Sequence, residues 1–242
     1  MKLLIVEDEL ALATGLKFNF EQEGYAVTLA GDGPQALDEF DKAEPPFDLV
    51  VLDLMLPSMS GYETCRRIRE LDKLVPVLVL SARTLSEDRT MAFDCGTDQY
   101  MTKPFALPEL LSRVRNLIER HGSRTRQMVR TSSSTGNLTD DVIQLGEITI
   151  DFRKFEITGK EPTVTMTTKE QQLLKYLIER DGEVVSRAEI LEDVWDETAD
   201  QATRSIDNFI SRLRRYIEVN PAEPRHILSV RGTGYRFVTK TD

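Results

Sequence analysis

Two cysteines, Cys65 and Cys95, are all that the 242 residues contain; they are too few for a disulfide framework, so the chain is expected in the reducing cytoplasm. Long apolar runs are also missing. The longest, such as Leu49-Val50-Val51-Leu52 and 75–80, fall well short of the roughly 18 residues a membrane span needs, which excludes a membrane protein. The opening Met-Lys-Leu-Leu-Ile-Val turns acidic too soon for a signal peptide. Positive charge is scarce: 31 Lys and Arg face 41 Asp and Glu, a net −10. DNA affinity depends on cations that neutralise phosphates, so a uniformly basic nucleic-acid binder is excluded.

With 40% hydrophobic and 30% charged residues the composition is that of a globular protein, and the length suits two modest domains. The charge is partitioned between them. Residues 1–120 hold 13 basic and 21 acidic residues, 121–141 hold 3 and 2, and 142–242 hold 15 and 18. Within the last segment, 203–236 carries seven arginines (204, 212, 214, 215, 225, 231, 236) against Asp207, Glu218 and Glu223. That local surplus marks a candidate phosphate-facing surface.

Over 1–120, short β-type runs at 3–6, 25–29, 47–52, 76–80 and 99–101 alternate with helical periodicity. Leu12, Leu16 and Phe20 recur every four residues, and Leu110, Val114, Leu117 and Ile118 form a second stripe. This βα repetition predicts a parallel sheet with helices on both faces. From 121 to 141 the large apolar residues thin out and Thr131-Ser132-Ser133-Ser134-Thr135-Gly136-Asn137 follows, which predicts a flexible linker. Beyond it, 142–242 reads as strands at 143–150, 154–158 and 163–166, helices at 168–180, 186–194 and 203–218, and a closing hairpin, 227–230 and 235–238, around Gly232-Thr233-Gly234. Strands, three helices and a hairpin describe a winged helix.

Ligands of open parallel sheets bind beyond the carboxyl ends of the strands. Those positions hold Glu7, Asp8 and Glu9 after the first strand, Asp53 after the third, Ser81 after the fourth and Lys103 after the fifth. Any one of them alone would be ordinary solvated surface; together they make a site. Crowded carboxylates repel unless a cation neutralises them, and an oxygen-only set selects a hard divalent ion, Mg²⁺ first among them. Lys103 and Ser81 suit phosphate oxygens.

Ile5-Val6-Glu7-Asp8-Glu9, Leu52-Asp53-Leu54-Met55-Leu56-Pro57, Ser81-Ala82-Arg83 and Thr102-Lys103-Pro104-Phe105 resemble the receiver domain of two-component response regulators. The resemblance implies a flavodoxin-like five-stranded α/β fold. It implies that Asp53 is the nucleophile taking a phosphoryl group from a sensor histidine kinase, assisted by Lys103 and Ser81. It also implies Asp8 and Asp53, Glu7 through water and the Met55 carbonyl as Mg²⁺ ligands, and a cis peptide at Lys103-Pro104. Ser81 and Tyr100 would form a switch, Tyr100 turning inward once Ser81 moves to the phosphoryl group.

On a helix over 203–218, Ile206, Ile210, Leu213 and Ile217 lie on one face, with Phe209 adjoining; Arg204, Asn208, Ser211 and Arg215 lie opposite, with Arg212 beside them. A charged helix face alone is usually just solvated. The arginine-tipped Arg231-Gly232-Thr233-Gly234-Tyr235-Arg236 hairpin behind it points to DNA instead. Thr203 through Arg215 and Val230 through Arg236 are similar to the winged-helix effector of the OmpR/PhoB class, a resemblance that spans 142–238. It implies that 203–218 is the recognition helix, with Arg204, Asn208, Ser211, Arg212, Arg214, Arg215, Arg231 and Thr233 at double-stranded DNA. The loop around 194–202 would correspond to one that touches RNA polymerase in some relatives. It further implies a homodimer on phosphorylation, its interface pairing Arg89, Asp94, Asp98, Glu109, Arg113 and Arg115, while Gln99 stands where the family usually has a second Asp.

The reading is therefore a phosphorylation-controlled transcription regulator and not a metabolic enzyme, apart from assisting its own phosphoryl transfer and dephosphorylation. A haloacid-dehalogenase-like phosphatase would need a second Asp where Met55 stands. A DNA-binding protein with a merely structural receiver would not need the whole set of Glu7, Asp8, Asp53, Ser81 and Lys103.

Overall fold

The computed structural model describes residues 1–83, 86–131, 141–195 and 203–239, with side chains omitted at 86, 87, 89, 90, 120–131 and 203–205. The chain divides into two units, Met1–Ser132 and Ser133–Asp242. No helix among the described residues is long and apolar enough to cross a membrane.

The first unit alternates β1 (Lys2–Val6), α1 (Leu10–Gln22), β2 (Ala26–Ala30), α2 (Gly33–Asp41), β3 (Leu49–Asp53), α3 (Gly61–Leu71), β4 (Val77–Ser81), α4 (Ser86–Asp94), β5 (Gln99–Thr102) and α5 (Leu107–Thr131). All five strands are parallel, in the order β2-β1-β3-β4-β5. Strand side chains alternate between the two faces of a sheet. Leu3, Ile5, Leu49, Val51, Leu78 and Leu80 pack with Leu16 and Phe20 of α1 and Leu110, Val114 and Leu117 of α5. Leu4, Val50, Leu52 and Val79, of the other parity, are equally buried, so these strands are apolar on both faces. The chain steps from β1 to β2 on one side and to β3 on the other. The crevice between the ends of β1 and β3 is thus the switch point at which such sheets bind ligands. Gly61, at the start of α3, is required there because a Cβ would collide with the Asp53 carbonyl.

The second unit opens with β6 (Val142–Leu145), β7 (Ile148–Asp151), β8 (Glu156–Thr158) and β9 (Val164–Thr165), an antiparallel sheet in sequence order. There follow α6 (Thr168–Ile178), β10 (Val184–Ser186), α7 (Arg187–Ile190), a π-helical turn (Leu191–Trp195), α8 (Thr203–Ile217), β11 (Ile227–Val230) and β12 (Gly234–Phe237). α6 and α7 each begin with a capping box, Thr167 with Glu170 and Ser186 with Glu189. The core gathers Leu173, Leu174, Leu177, Ile206, Ile210, Leu213 and Phe237, and Trp195 meets Phe209 edge-on at 5.0 Å between ring centroids.

The structure departs from the sequence expectations in three places. The single strand expected over 143–150 is a hairpin, folded at Gly146, whose φ of 59° suits a glycine. α5 continues to Thr131, into the stretch expected as linker from 121: its Arg, Gln and Met residues favour helix even without an apolar stripe. The rest of that stretch, 132–140, lies outside the described residues. β10 was not expected; it pairs with β12, so the closing hairpin becomes a three-stranded sheet ordered β10-β12-β11.

Glu218, just past α8, is 1% exposed and accepts hydrogen bonds from the backbone N–H groups of Arg225, His226 and Ile227 at 2.8–2.9 Å. It ties the end of α8 to the start of β11. Glu218→Ala strands one buried donor, at about 1–3 kcal/mol, and two part-buried donors that water can partly satisfy, and should destabilise the second unit by roughly 2–4 kcal/mol. Urea unfolding followed by fluorescence of Trp195, the sole tryptophan, measures this; an unchanged midpoint would contradict it.

Candidate functional site

β1 and β3 run side by side in register, Val6 opposite Leu52, so the residues that follow them emerge together. Glu7 and Asp53 are almost fully buried and Asp8 is exposed, and carboxylate oxygens of all three lie within 4.8 Å of one another. Lys103 answers them from the end of β5. Its backbone N–H donates to the Ser81 carbonyl at 2.8 Å, and its Nζ lies 2.7 Å from Glu7 Oε2 and 2.5 Å from Asp53 Oδ2. The Lys103-Pro104 peptide is cis, as the motif implies. Asp53 Oδ1 accepts the Met55 N–H at 2.8 Å, so both oxygens of this carboxylate are oriented.

Burial pushes the Glu7 carboxyl above its ordinary range, with the Asp53 charge adding to the rise and Lys103 opposing it. For Lys103, burial is the largest single influence and pulls downward. The bonds and charges of Asp53 and Glu7 outweigh it and hold the ammonium above its ordinary value. Three carboxylates against one ammonium leave an excess of negative charge on an oxygen-only donor set that opens to solvent through Asp8. Such a set suits a hard divalent cation that keeps part of its water shell.

Ser81 is fully buried and its Oγ accepts the Arg83 N–H at 3.2 Å. Tyr100, expected to turn inward only on activation, occupies the inward position here: it is 3% exposed and donates to the Arg83 carbonyl at 2.8 Å. Both switch candidates therefore meet on one backbone unit. Arg83 had no role in the sequence reading, although it follows Ser81 by two residues. Its Nε reaches Met55 Sδ at 3.0 Å and its Nη1 reaches Asp88 at 2.7 Å.

In the second unit α8 is held along both flanks. Taking about 100° per residue, Asp207 and Arg214 fall on one flank, Arg212 and Tyr216 on the other, and Asn208, Ser211 and Arg215 on the ridge between. Arg214, expected at DNA, instead donates twice to the Ile227 carbonyl of β11, at 2.7 and 3.0 Å, and once to Ser229 Oγ. Arg212 is likewise drawn inward, 3.3 Å from the buried Glu170 carboxylate and stacked 4.3 Å over the Phe209 ring. These two guanidiniums fasten the helix to its own domain. Ser211 is exposed, and Asn208 and Arg215 share its ridge; Arg231 and Thr233 are exposed at the hairpin tip. The side chain of Arg204, and residues 196–202 of the loop expected at RNA polymerase, lie outside what is described.

Of the expected dimer residues, Asp98 is misplaced for that role. It is 1% exposed, with Oδ2 accepting from Arg69 Nη2 and from the Val77 N–H, each at 2.8 Å. A buried carboxylate needs such partners, and these lie inside the unit. Gln99 is buried beside it. Glu109 pairs with Arg113 along α5 at 3.0 Å and Arg115 with Glu23 at 2.9 Å, while Asp94 is exposed. The Arg89 side chain is outside the described set.

Comparison with known proteins agrees with both halves. The response regulator receiver domain matches residues 3–115, and the C-terminal domain of transcriptional regulatory proteins matches 159–237. The sensory transduction protein RegX3 of Mycobacterium tuberculosis is 37% identical over 235 residues, covering 97% of this chain and 98% of that protein. The probable transcriptional regulator ycf27 of Guillardia theta is 38% identical over 243 residues, 100% of this chain and 92% of that one. Among solved structures, a mutant of RitR shares the fold with a TM-score of 0.71 over 99% of both chains at 22% identity. With a receiver built around Asp53 and a winged helix behind it, the chain belongs to the two-component response regulators of the OmpR/PhoB class, DNA-binding regulators of transcription.

Proposed function

We propose that Asp53 accepts a phosphoryl group from a sensor histidine kinase and that this modification controls dimerisation and sequence-specific DNA binding in the cytoplasm. The observation that carries this reading is the Asp53 carboxylate, with one oxygen on the Met55 N–H and the other on Lys103 Nζ. An Asp53 oxygen attacks phosphorus as the P–N bond to the kinase histidine breaks, and the histidine nitrogen keeps the electron pair. Lys103 brings positive charge to the Asp53 oxygen where an incoming anion would otherwise be repelled. Glu7, Asp8, Asp53 and the Met55 carbonyl would hold Mg²⁺, whose charge offsets that repulsion. Ser81 Oγ, bonded here to the Arg83 N–H, is the hydroxyl nearest in the sheet register to hydrogen-bond the new phosphoryl oxygens, and Tyr100, already inward, would hold the same Arg83 backbone from behind.

The proposed sequence-specific contact surface is the ridge of α8. Asn208, Ser211 and Arg215 would meet base edges in the major groove, joined by Arg204, while Arg231 and Thr233 of the hairpin would meet phosphate or the minor groove. A homodimer would place two such helices on half-sites about one helical turn apart. Asp94, Glu109, Arg113 and Arg115, with Arg89, are the residues left to pair across it. The two modules of this reading are a receiver and a DNA-binding effector joined near 132–141, with RNA polymerase as a further partner of the loop that follows Trp195.

Asp53→Asn should abolish covalent phosphoryl uptake from acetyl phosphate with Mg²⁺, read as intact mass; persistent labelling would sink the assignment. Arg231→Ala should weaken binding on all duplexes and lower the salt slope by about 1, whereas Asn208→Ala should relax preference at one base pair by about 1–3 kcal/mol. Equal losses on every sequence for both variants would contradict the division of labour. Sedimentation of the full chain should shift from monomer to dimer on addition of beryllium fluoride, and an unchanged monomer would refute dimerisation driven by the modification.

A further inference from the structure

A carboxylate on a helix that faces DNA is an electrostatic liability, because it repels the phosphates that its neighbours attract. α8 carries one, Asp207, and the structure shows how it is handled. Its Oδ1 accepts from the Tyr235 hydroxyl at 2.5 Å and from Arg187 Nε at 2.9 Å. The triangle closes where Arg187 Nη2 reaches the Tyr235 oxygen at 3.1 Å, with the guanidinium 4.8 Å from the centre of the tyrosine ring.

The three corners belong to α7, α8 and β12. Tyr235 lies in the central strand of the three-stranded sheet, between Val185 of β10 and Ser229 of β11, and is 3% exposed. Burial, then the bond to Asp207, pushes its phenol up to about 12, so the proton stays available for donation at neutral pH. Arg214 joins the same flank to β11 and Glu170 holds the opposite flank through Arg212 and Tyr216. Rotation of α8 about its own axis is resisted from both sides. That rotation decides what a ridge residue meets: a turn of about 20° moves a side-chain tip at roughly 6 Å radius by about 2 Å. A base-edge hydrogen bond does not survive such a displacement.

We propose that Arg187, Asp207 and Tyr235 are positioning residues for DNA recognition, a triad that sets the rotation of α8 against the hairpin sheet and thereby the base selectivity of the ridge. The triad reads no base itself. The inference rests on the DNA-binding reading above and adds to it the device that aims the helix.

The test uses the full chain, a duplex enriched by the wild type from a random-sequence pool, and a scrambled duplex of equal length, titrated by fluorescence anisotropy at several salt concentrations. Tyr235→Phe removes one hydroxyl and should lower the ratio of specific to scrambled affinity about three- to tenfold, with affinity for the scrambled duplex and salt slope unchanged at a temperature well below the variant's thermal midpoint. Asp207→Asn frees the Arg187 charge. It should lower the same ratio while tightening scrambled binding and steepening the salt slope by up to about 1, a change that loss of folding does not produce. An unaltered ratio in both variants would overturn the proposal, as would equal loss on both duplexes that tracks a fall in thermal midpoint. Failure of the wild type to enrich any duplex would instead remove the DNA-binding reading itself, and the triad's role with it.

Discussion

Like charges at the carboxyl ends of β1 and β3 are the constraint on which the first unit turns. Glu7 and Asp53 are buried side by side, and crowding of this kind raises the energy of the ionised pair unless positive charge is brought within bonding distance. Lys103 supplies it, and much of the local backbone serves that purpose. β5 ends in bonding distance of Ser81, the Lys103-Pro104 turn presents the ammonium, and Gly61 lets α3 start against the Asp53 carbonyl. The cluster is still short of cations when Lys103 is counted. The imbalance makes a receptive site out of what would otherwise be a closed structural ion pair.

The second unit solves the opposite problem. It carries the arginine surplus, but a guanidinium spent on packing is not available to phosphate. Arg214 and Arg212 hold α8 to β11 and α6, and Arg187 neutralises Asp207. The count of seven arginines over 203–236 therefore overstates the surface charge that DNA would meet. On the proposed reading, fewer phosphate contacts per protomer would mean weaker binding with a shallower salt dependence, and joining two protomers on adjacent half-sites would multiply affinity without new chemistry.

Legibility in the sequence followed the range of the interactions. The parallel sheet, the stripes of α1 and α5, and the strand-end residues were readable because periodicity and strand order are local or nearly so. The hairpin at Gly146 was lost because one glycine is a weak interruption in an apolar run, and β10 because three residues give no period. The site residues of the receiver came from motif and strand end together. What sequence could not give was pairing at a distance: Asp98 with Arg69 across 29 residues, Arg187 with Tyr235 across 48. A charged residue looks the same in sequence whether it faces solvent, a second subunit or a buried partner. The internal partners of Asp98, Arg212 and Arg214 are hidden from the sequence for that reason.

The fastening of α8 along its flanks has a consequence for how regulators of this build diversify. Residues that hold the helix, Asp207, Arg214, Arg212 and Tyr216, lie apart from the ridge of Ser211 and Arg215. Substitutions on the ridge leave those anchors untouched, so a duplicated copy can drift toward a new operator without first losing its fold. Retargeting and stability are separable traits on this helix, divided by a fraction of a turn.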